Sequence, residues 1–577
     1  MRVRISKQWA AVAVAIFGVV FLLYTQSLWN DFVLWDDDYL IVNNPLIRSL
    51  SLHSIWTAFT SYDPELYIPI TFLSYQINYL IAGLHPFIYH LTNLLLHATN
   101  ALLVSAVAYH LSKKNFWISV AAGLFFAVHP LHTEAVIWAS ARKDVLASTF
   151  FLSSLLLYLQ YRDTGLRSSY TWSVAMFLFA LLSKVSVIAL PLILLMIDWR
   201  DGRQWTRKVL IEKVPYFKLS AFAGVIALYG KTQQIAHSTI TETVLLVIKS
   251  TAFYLEKIVL PLHLSPMYPF IGDIHLTSPE FFIPTIVIIA LAGGALWSLR
   301  WTREAMFALL FFLLAIAPSM FNFRKGEEGD IYIASDRYAY LASFAVLFLV
   351  CVVLFRLREK LSPMIINIVV AVMVITLGPL AYMQTGIWND SETLFTSVIA
   401  SYPQAQAAHH NLGVLYQKEG RLQDALNQYQ AALAIAPKAS TESNVGDIFR
   451  ENGQFSDAAA HYQNALTLNP RSVDAELGMG FLHLQQNDID GSIAAFQSAV
   501  EYGPLDARTH LNLGAALMRA KQIDDAIAQY RISIALDPGN AGAHFNLGVA
   551  YERLGKIDDA QSAYARAKQL DPSLEKP

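Results

Sequence analysis

Three consecutive carboxylates, Asp36, Asp37 and Asp38, stand between Trp35 and Tyr39, in a stretch that closes on Asn43-Asn44-Pro45. In an extended loop successive side chains point to opposite sides, so Asp36 and Asp37 cannot share one task. One can take a proton from an acceptor hydroxyl while the other orients that hydroxyl or a metal ion. A solvated acidic loop also attracts aspartates, but it has no need of the flanking aromatics or the Asn-Asn-Pro turn. A second group follows in His129-Pro130-Leu131-His132-Thr133-Glu134 and then Arg142-Lys143-Asp144. His129 and His132 lie close to one helical turn apart, and with Glu134 and Asp37 they are residue types that hold a divalent metal. A helix end whose polar side chains bind loop backbone is the commoner use of such a sequence. Arg142 and Lys143, and Arg337 in Ser335-Asp336-Arg337-Tyr338, can hold a phosphate on a lipid carrier or snorkel to a membrane interface. Lys184 sits at the break between two apolar runs, as a turn or as a further phosphate contact.

The elements that must position these residues are membrane helices. The 577 residues are 55% hydrophobic and only 15% charged, with a mean hydropathy of +0.39, too apolar for an ordinary soluble globule. A net charge of -2 gives no nucleic-acid footprint. The single cysteine, Cys351, lies in an apolar run and forms no intramolecular disulfide. Eleven apolar runs are legible, near 9–26, 88–111, 116–132, 145–161, 170–182, 185–199, 215–230, 281–299, 305–321, 338–355 and 364–383. Within the second, His90, Asn93, His97 and Asn100 form one polar stripe of the kind that bonds helix to helix.

Charge sets the expected orientation. With the basic N-terminus (Met1 to Lys7) inside, Lys113-Lys114, Arg162, Arg167, Arg200 to Lys213, Arg300, Arg303 and Arg356 to Lys360 all fall on the cytoplasmic side. The segment 243–262 carries Lys249, Glu256 and Lys257, and reads as an amphipathic element on the outer surface. The triple-Asp loop, the 132–134 turn, Lys184, Arg337 and everything after Gln384 then share the extracytoplasmic side, a periplasm or an endoplasmic-reticulum lumen.

The last third is a repeat. Gly413, Gly446, Gly480, Gly514 and Gly548 are each followed 24 positions later by proline, with Tyr416, Ala425, Tyr429 and Ala432 between them in the first copy. This is the tetratricopeptide pattern, a helix pair of about 34 residues stacked into a solenoid. Phe395, Val398 and Pro403 make a preceding half copy. The reading is an all-α chain: a polytopic membrane domain of about eleven spans over 1–384, a linker and half-repeat helix over 385–404, and a five-repeat array over 405–577.

Trp35-Asp36-Asp37-Asp38-x-x-Ile41-x-Asn43-Asn44-Pro45, His85-Pro86-x-x-x-His90-x-x-Asn93-x-x-x-His97, Ala127-Val128-His129-Pro130-x-His132-Thr133-Glu134-Ala135, Leu182-Ser183-Lys184, Asp336-Arg337-x-x-Tyr340-Leu341 and Trp388-x-x-x-x-x-Leu394-Phe395 occur in that order. Together with the repeats they resemble the transmembrane and tetratricopeptide-repeat-containing protein O-mannosyltransferases of the glycosyltransferase C superfamily. The resemblance implies transfer of a sugar, mannose in eukaryotic members, from a polyprenyl phosphate to a Ser or Thr hydroxyl on the outer side. The family's paired acidic residues match Asp36 and Asp37, with Asp38 as an addition. A mechanism that joins the resemblance to the residues is a single inverting displacement. In it Asp36 is the base and Asp37 its partner, Arg337 and Arg142 lie near the phosphate, and Glu134 and His132 line the acceptor side. The repeats would bind the acceptor protein. The alternatives are a non-catalytic membrane-anchored scaffold and, less well matched by outer-end charges, a transporter.

Overall fold

The computed structural model describes residues 7–62, 67–230, 239–320, 323–325, 330–358 and 360–574. The basic residues Arg2 and Arg4 lie outside them, as do 231–238 and parts of 321–329. Contacts divide the chain into two compact units, Met1–Pro403 and Gln404–Pro577. The described residues are mostly helical; the exceptions are connections, the longest of them 260–278, and a hairpin of two-residue strands, Arg324–Lys325 with Asp330–Ile331.

The first unit begins with α1 (Lys7–Tyr24), α2 (Leu52–Thr60), α3 (Pro69–Ala82), α4 (Pro86–Leu111), α5 (Phe116–Val128), α6 (Thr133–Ile137), α7 (Arg142–Thr164) and α8 (Arg167–Ser183). It continues with α9 (Leu190–Arg200), α10 (Arg207–Ile211), α11 (Val214–Gly230), α12 (Ile240–Val259), α13 (Pro279–Ser298), α14 (Glu304–Ile316), α15 (Ala339–Leu357), α16 (Pro363–Gly386) and α17 (Ser391–Ser401). Each of the eleven apolar runs falls on one of these helices. Among the described residues six helical stretches are long and apolar enough to cross a membrane alone, and α5 with the segment Pro130–Ile137, bent by 56°, makes a seventh when the pair is counted as one span. Helices α8, α9, α11 and α14 complete the eleven but are 17, 11, 17 and 13 residues long, short of the roughly 20 that a perpendicular span needs.

Close packing explains the local choices. Gly123 lets α5 approach α4, since a Cβ there would lie 2.8 Å from that of Ser105 and 3.0 Å from the Ala101 carbonyl. The stripe on α4 faces protein: Asn93 donates to the Trp138 carbonyl at 3.0 Å, Asn100 to the Val145 carbonyl at 2.9 Å, and His97 Nδ1 lies 2.8 Å from the Tyr340 hydroxyl. Helix α12, opened by a Thr239/Glu242 capping box, buries Leu246, Ser250, Tyr254 and Ile258 on one face and exposes Ile240, Val244 and Val259. Its Tyr254 hydroxyl accepts the Ser335 N–H at 2.9 Å, which fixes the approach to α15.

The basic residues expected inside cluster at one end of the bundle. Arg200 forks onto Glu304 at 2.8 Å and caps the Leu111 carbonyl at 2.7 Å, while Arg162 pairs with Asp201 at 2.9 Å. At the other end the turns around Asp37, Glu134, Lys184 and Arg337 meet.

The second unit is five helix pairs, from α18 (Gln406–Lys418) and α19 (Leu422–Ile435), through α20 (Ala439–Glu451), α21 (Phe455–Leu468), α22 (Val473–Gln485), α23 (Ile489–Tyr502), α24 (Ala507–Arg519) and α25 (Ile523–Leu536), to α26 (Ala541–Arg553) and α27 (Ile557–Leu570). The recurring glycine has one job in each. A ring from the second helix lies on it, so an added Cβ would sit 2.5 Å from Tyr429, 2.7 Å from Tyr462, 2.4 Å from Phe496, 2.6 Å from Tyr530 and 2.7 Å from Tyr564.

Candidate active site

The carboxylate loop is shaped by its middle member. Asp37 is 1% exposed; its Oδ2 accepts the Val33 N–H at 3.0 Å, and its Oδ1 the Ser140 N–H at 2.8 Å. One oxygen thus curls the loop on itself and the other ties it to the turn Ala139–Ala141. The backbone here is not extended as expected: Asp36 and Asp37 lie in a helical turn, Asp37 at φ -64° and ψ -34°, so Asp36 leaves the chain about a quarter-turn away from Asp37. Asp36 is half-buried and its Oδ2 accepts from Lys143 Nζ at 3.0 Å. Asp38 opens a single π-helical turn, Asp38–Val42. Trp35 stacks on Trp138 at 4.8 Å, and Trp138 on Trp388 at 5.6 Å. Asn30 donates to the Trp388 carbonyl at 2.9 Å, and the Leu34 N–H to Ser391 Oγ at 2.7 Å, so α17 holds the loop from behind.

Burial pushes the Asp37 carboxyl up to about 7, against the two backbone donors that favour its charged form. Through these two backbone hydrogen bonds Asp37 fastens the loop.

The cations fall into two kinds. Lys143 reaches Asp36 and lies 6.0 Å from the centre of the Trp138 ring. Lys184 donates to Asp144 Oδ1 at 2.5 Å, with Tyr338 below it at 5.3 Å. Arg337 lies 4.8 Å over both Trp138 and Tyr338 and is paired with Glu134, whose Oε2 also accepts the Arg337 N–H at 3.1 Å and whose Oε1 accepts from Ser335 at 2.8 Å. These three cations and the carboxylates Asp36 and Asp144 act on one another electrostatically. Arg142 is apart from them. It is fully buried and donates to Asn93 Oδ1 at 2.5 Å, Asn78 Oδ1 at 2.6 Å and the Tyr89 carbonyl at 2.7 Å, across the Tyr75 ring. The structure therefore sets Arg142 inside the fold, where it joins α3, α4 and α7.

The histidines are likewise engaged with protein. His129 accepts the Leu131 N–H at Nδ1 and donates from Nε2 to the Ile258 carbonyl at 2.9 Å. His132 donates from Nδ1 to the Phe126 carbonyl at 2.8 Å and lies 2.8 Å from Ser343 Oγ, which fastens its turn to α15. With Asp37 and Glu134 also committed to backbone and to Arg337, no three His, Cys, Asp or Glu side chains among the described residues converge as metal ligands. The residues at this site do not fit a resident metal.

Two contributors were not singled out by the sequence reading. Asp144 and Tyr338 follow Lys143 and Arg337 directly in the sequence, and that adjacency is their signal. The three-tryptophan stack joins positions 35, 138 and 388, and only its ends lie in the quoted motifs. Helix α3 lies outside the eleven apolar runs, yet its polar side supplies Asn78 and Ser74 to Arg142 and Thr71 to the Ser183 carbonyl at 3.0 Å.

Tetratricopeptide-repeat models match residues 406–439, 446–487, 477–541 and 511–575. Protein O-mannosyl-transferase TMTC1 of Homo sapiens is 25% identical over 505 residues, 74% of this chain and 55% of its own. TMTC2 of Homo sapiens is 36% identical over 157 residues, 26% of this chain and 19% of its own. The chain thus spans from about a fifth to about half of the length of these curated relatives. The solved structure of YrrB, described as a TPR protein with an unusual peptide-binding site, matches 32% of this chain and 95% of its own at 22% identity and a TM-score of 0.25. The chain is a helical membrane protein with a tetratricopeptide array, and over as much as 74% of its length it resembles the protein O-mannosyl-transferases TMTC1 to TMTC4.

Proposed function

We propose that this protein is a membrane glycosyltransferase that moves a sugar, mannose by the names of its relatives, from a polyprenyl phosphate to Ser or Thr hydroxyls of proteins. The observation that carries this reading is Asp36, a half-exposed carboxylate held 3.0 Å from Lys143 in a group that also contains Lys184 and Arg337. A base and an anion site side by side are what the transfer requires. As the acceptor oxygen attacks the anomeric carbon, its proton passes to Asp36, the bond from that carbon to the phosphate oxygen breaks, and the electron pair leaves on the phosphate. Lys143, Lys184 and Arg337 stabilise the charge that develops there. One displacement inverts the anomeric centre.

The remaining expected site residues act as positioning groups in this scheme. Asp37 fastens the loop that carries Asp36, Glu134 orients Arg337, Arg142 braces the start of α7 that carries Lys143, and His132 fixes the 129–137 turn. The gathering of Arg162, Arg200 and Arg203 at the opposite end supports an N-terminus in the cytoplasm and an extracytoplasmic site and array. Tethering a peptide-binding solenoid to the enzyme raises the effective concentration of its acceptor. Incubation of the purified protein with polyprenyl-phosphate mannose and an acceptor peptide, followed by assignment of the product anomer, tests the proposal. Inverted product supports it, whereas retained configuration or no transfer argues against it.

A further inference from the structure

Among the buried carboxylates of the described residues that the transfer scheme leaves unused, Asp144 stands beside the three cations. It lies in the first turn of α7, its side chain 9% exposed, with Oδ1 held by Lys184. Its Oδ2 is buried and meets no hydrogen-bond donor of the protein. Trp138 Nε1, Ser140 Oγ and Arg337 Nε, all from segments that meet at the same site, are buried without partners too. Buried polar atoms are nearly always satisfied, and an ionised oxygen is the costliest to leave bare. A purely structural ion pair would have turned both oxygens toward donors of the chain, as Asp37 and Glu134 do.

We propose that Asp144 Oδ2 accepts the 2-hydroxyl of the donor sugar and thereby selects which sugar is transferred. The inference rests on the reading of Lys184 as a phosphate contact. An ammonium has three N–H groups, and the one turned to Asp144 leaves others for a phosphate oxygen about 3 Å away. In a sugar 1-phosphate, two groups flank the anomeric carbon. The ring oxygen has no proton to give, so the donor nearest the phosphate is the hydroxyl on C2. A carboxylate that shares its lysine with the phosphate therefore meets that hydroxyl, whose configuration separates mannose from glucose. A second anion would be repelled by Asp144, and a metal ion by Lys143, Lys184 and Arg337.

Binding is the readout, because changing the C2 substituent alters the rate of cleavage at C1 by itself. The full-length protein in lipid nanodiscs is titrated with four probes: polyprenyl-phosphate mannose, its glucose and 2-deoxymannose counterparts, and the sugar-free polyprenyl phosphate. The parent is expected to bind the mannose form at least about tenfold more tightly than the glucose and 2-deoxy forms, the worth of one hydrogen bond to a charged group. Asp144→Asn is expected to bind the mannose, glucose and 2-deoxy forms alike, each compared with the variant's own affinity for the sugar-free carrier, because the substitution also removes the charge paired with Lys184. A variant that keeps the preference overturns the inference. So does a parent that binds the carrier and distinguishes none of the sugars, a result that needs no variant to fold. A parent that binds neither carrier nor sugar forms overturns the transferase reading as well.

Discussion

Replacement of Arg142 by alanine separates a brace from a phosphate contact. The guanidinium is fully buried and gives Asn93, Asn78 and Tyr89 their donors at 2.5, 2.6 and 2.7 Å. Alanine leaves three buried acceptors bare, at about 1–3 kcal/mol each, or about 3–9 kcal/mol together. Removing a buried cation that no carboxylate among the described residues bridges offsets about 3–4 kcal/mol of this, for a net loss of up to about 5 kcal/mol. At roughly 2 °C per kcal/mol for a large domain, the melting temperature falls by up to about 10 °C. Arg142→Lys is expected to fall almost as far, since an ammonium cannot serve three acceptors spread around a planar fork. Intrinsic-fluorescence melting in nanodiscs, paired with titration of polyprenyl phosphate, reads both quantities. The reasoning is refuted if either variant melts with the parent while losing affinity for the carrier, because Arg142 would then face the phosphate.

Other consequences are as direct. Asp37 has a folded-state value near 7 against 3.8 for a free side chain. The folded state therefore binds the proton more tightly, and stability is fully present below pH 4 and lost as pH rises through 7, by up to about 4 kcal/mol. Melting curves across pH 5 to 8 should show this slope in the parent and a flatter one in Asp37→Asn. Gly514→Ala forces a Cβ to 2.6 Å from the Tyr530 ring and should destabilise the array by about 1–3 kcal/mol in denaturant titrations. Deleting the array after Pro403 should weaken transfer to a protein acceptor and spare transfer to a short peptide; equal loss for both would leave the repeats without a role in acceptor binding.

What the sequence made legible follows from local pattern. Each apolar run falls on a helix because a run of that composition has few other solutions, and the glycine-to-tyrosine spacing of 16 residues reports a contact within one repeat, such as Gly413 on Tyr429. The different surroundings of Asp36 and Asp37 arise from a helical turn at 36–42 and not from the extended chain that the sequence suggested, because the π turn Asp38–Val42 depends on contacts that no local pattern shows. The surroundings of Arg142 were not legible either. Its partners Asn93 and Asn78 lie 49 and 64 positions away, and a charged residue at the head of an apolar helix looks the same whether it faces lipid, phosphate or buried amides. Helix α3 carries no legible apolar run because Thr71, Ser74, Gln76 and Asn78 interrupt its apolar face; those residues become intelligible only with Arg142, Ser183 and Leu46 against them.

The central claim is that Asp36 removes the acceptor proton. Its most direct test is the rate of mannose transfer from polyprenyl-phosphate mannose by the parent and by Asp36→Asn, at matched melting temperature and matched affinity for the donor. The account predicts inverted product from the parent and a fall in turnover of at least about 100-fold in the variant. A variant that transfers at the parent's rate would contradict it.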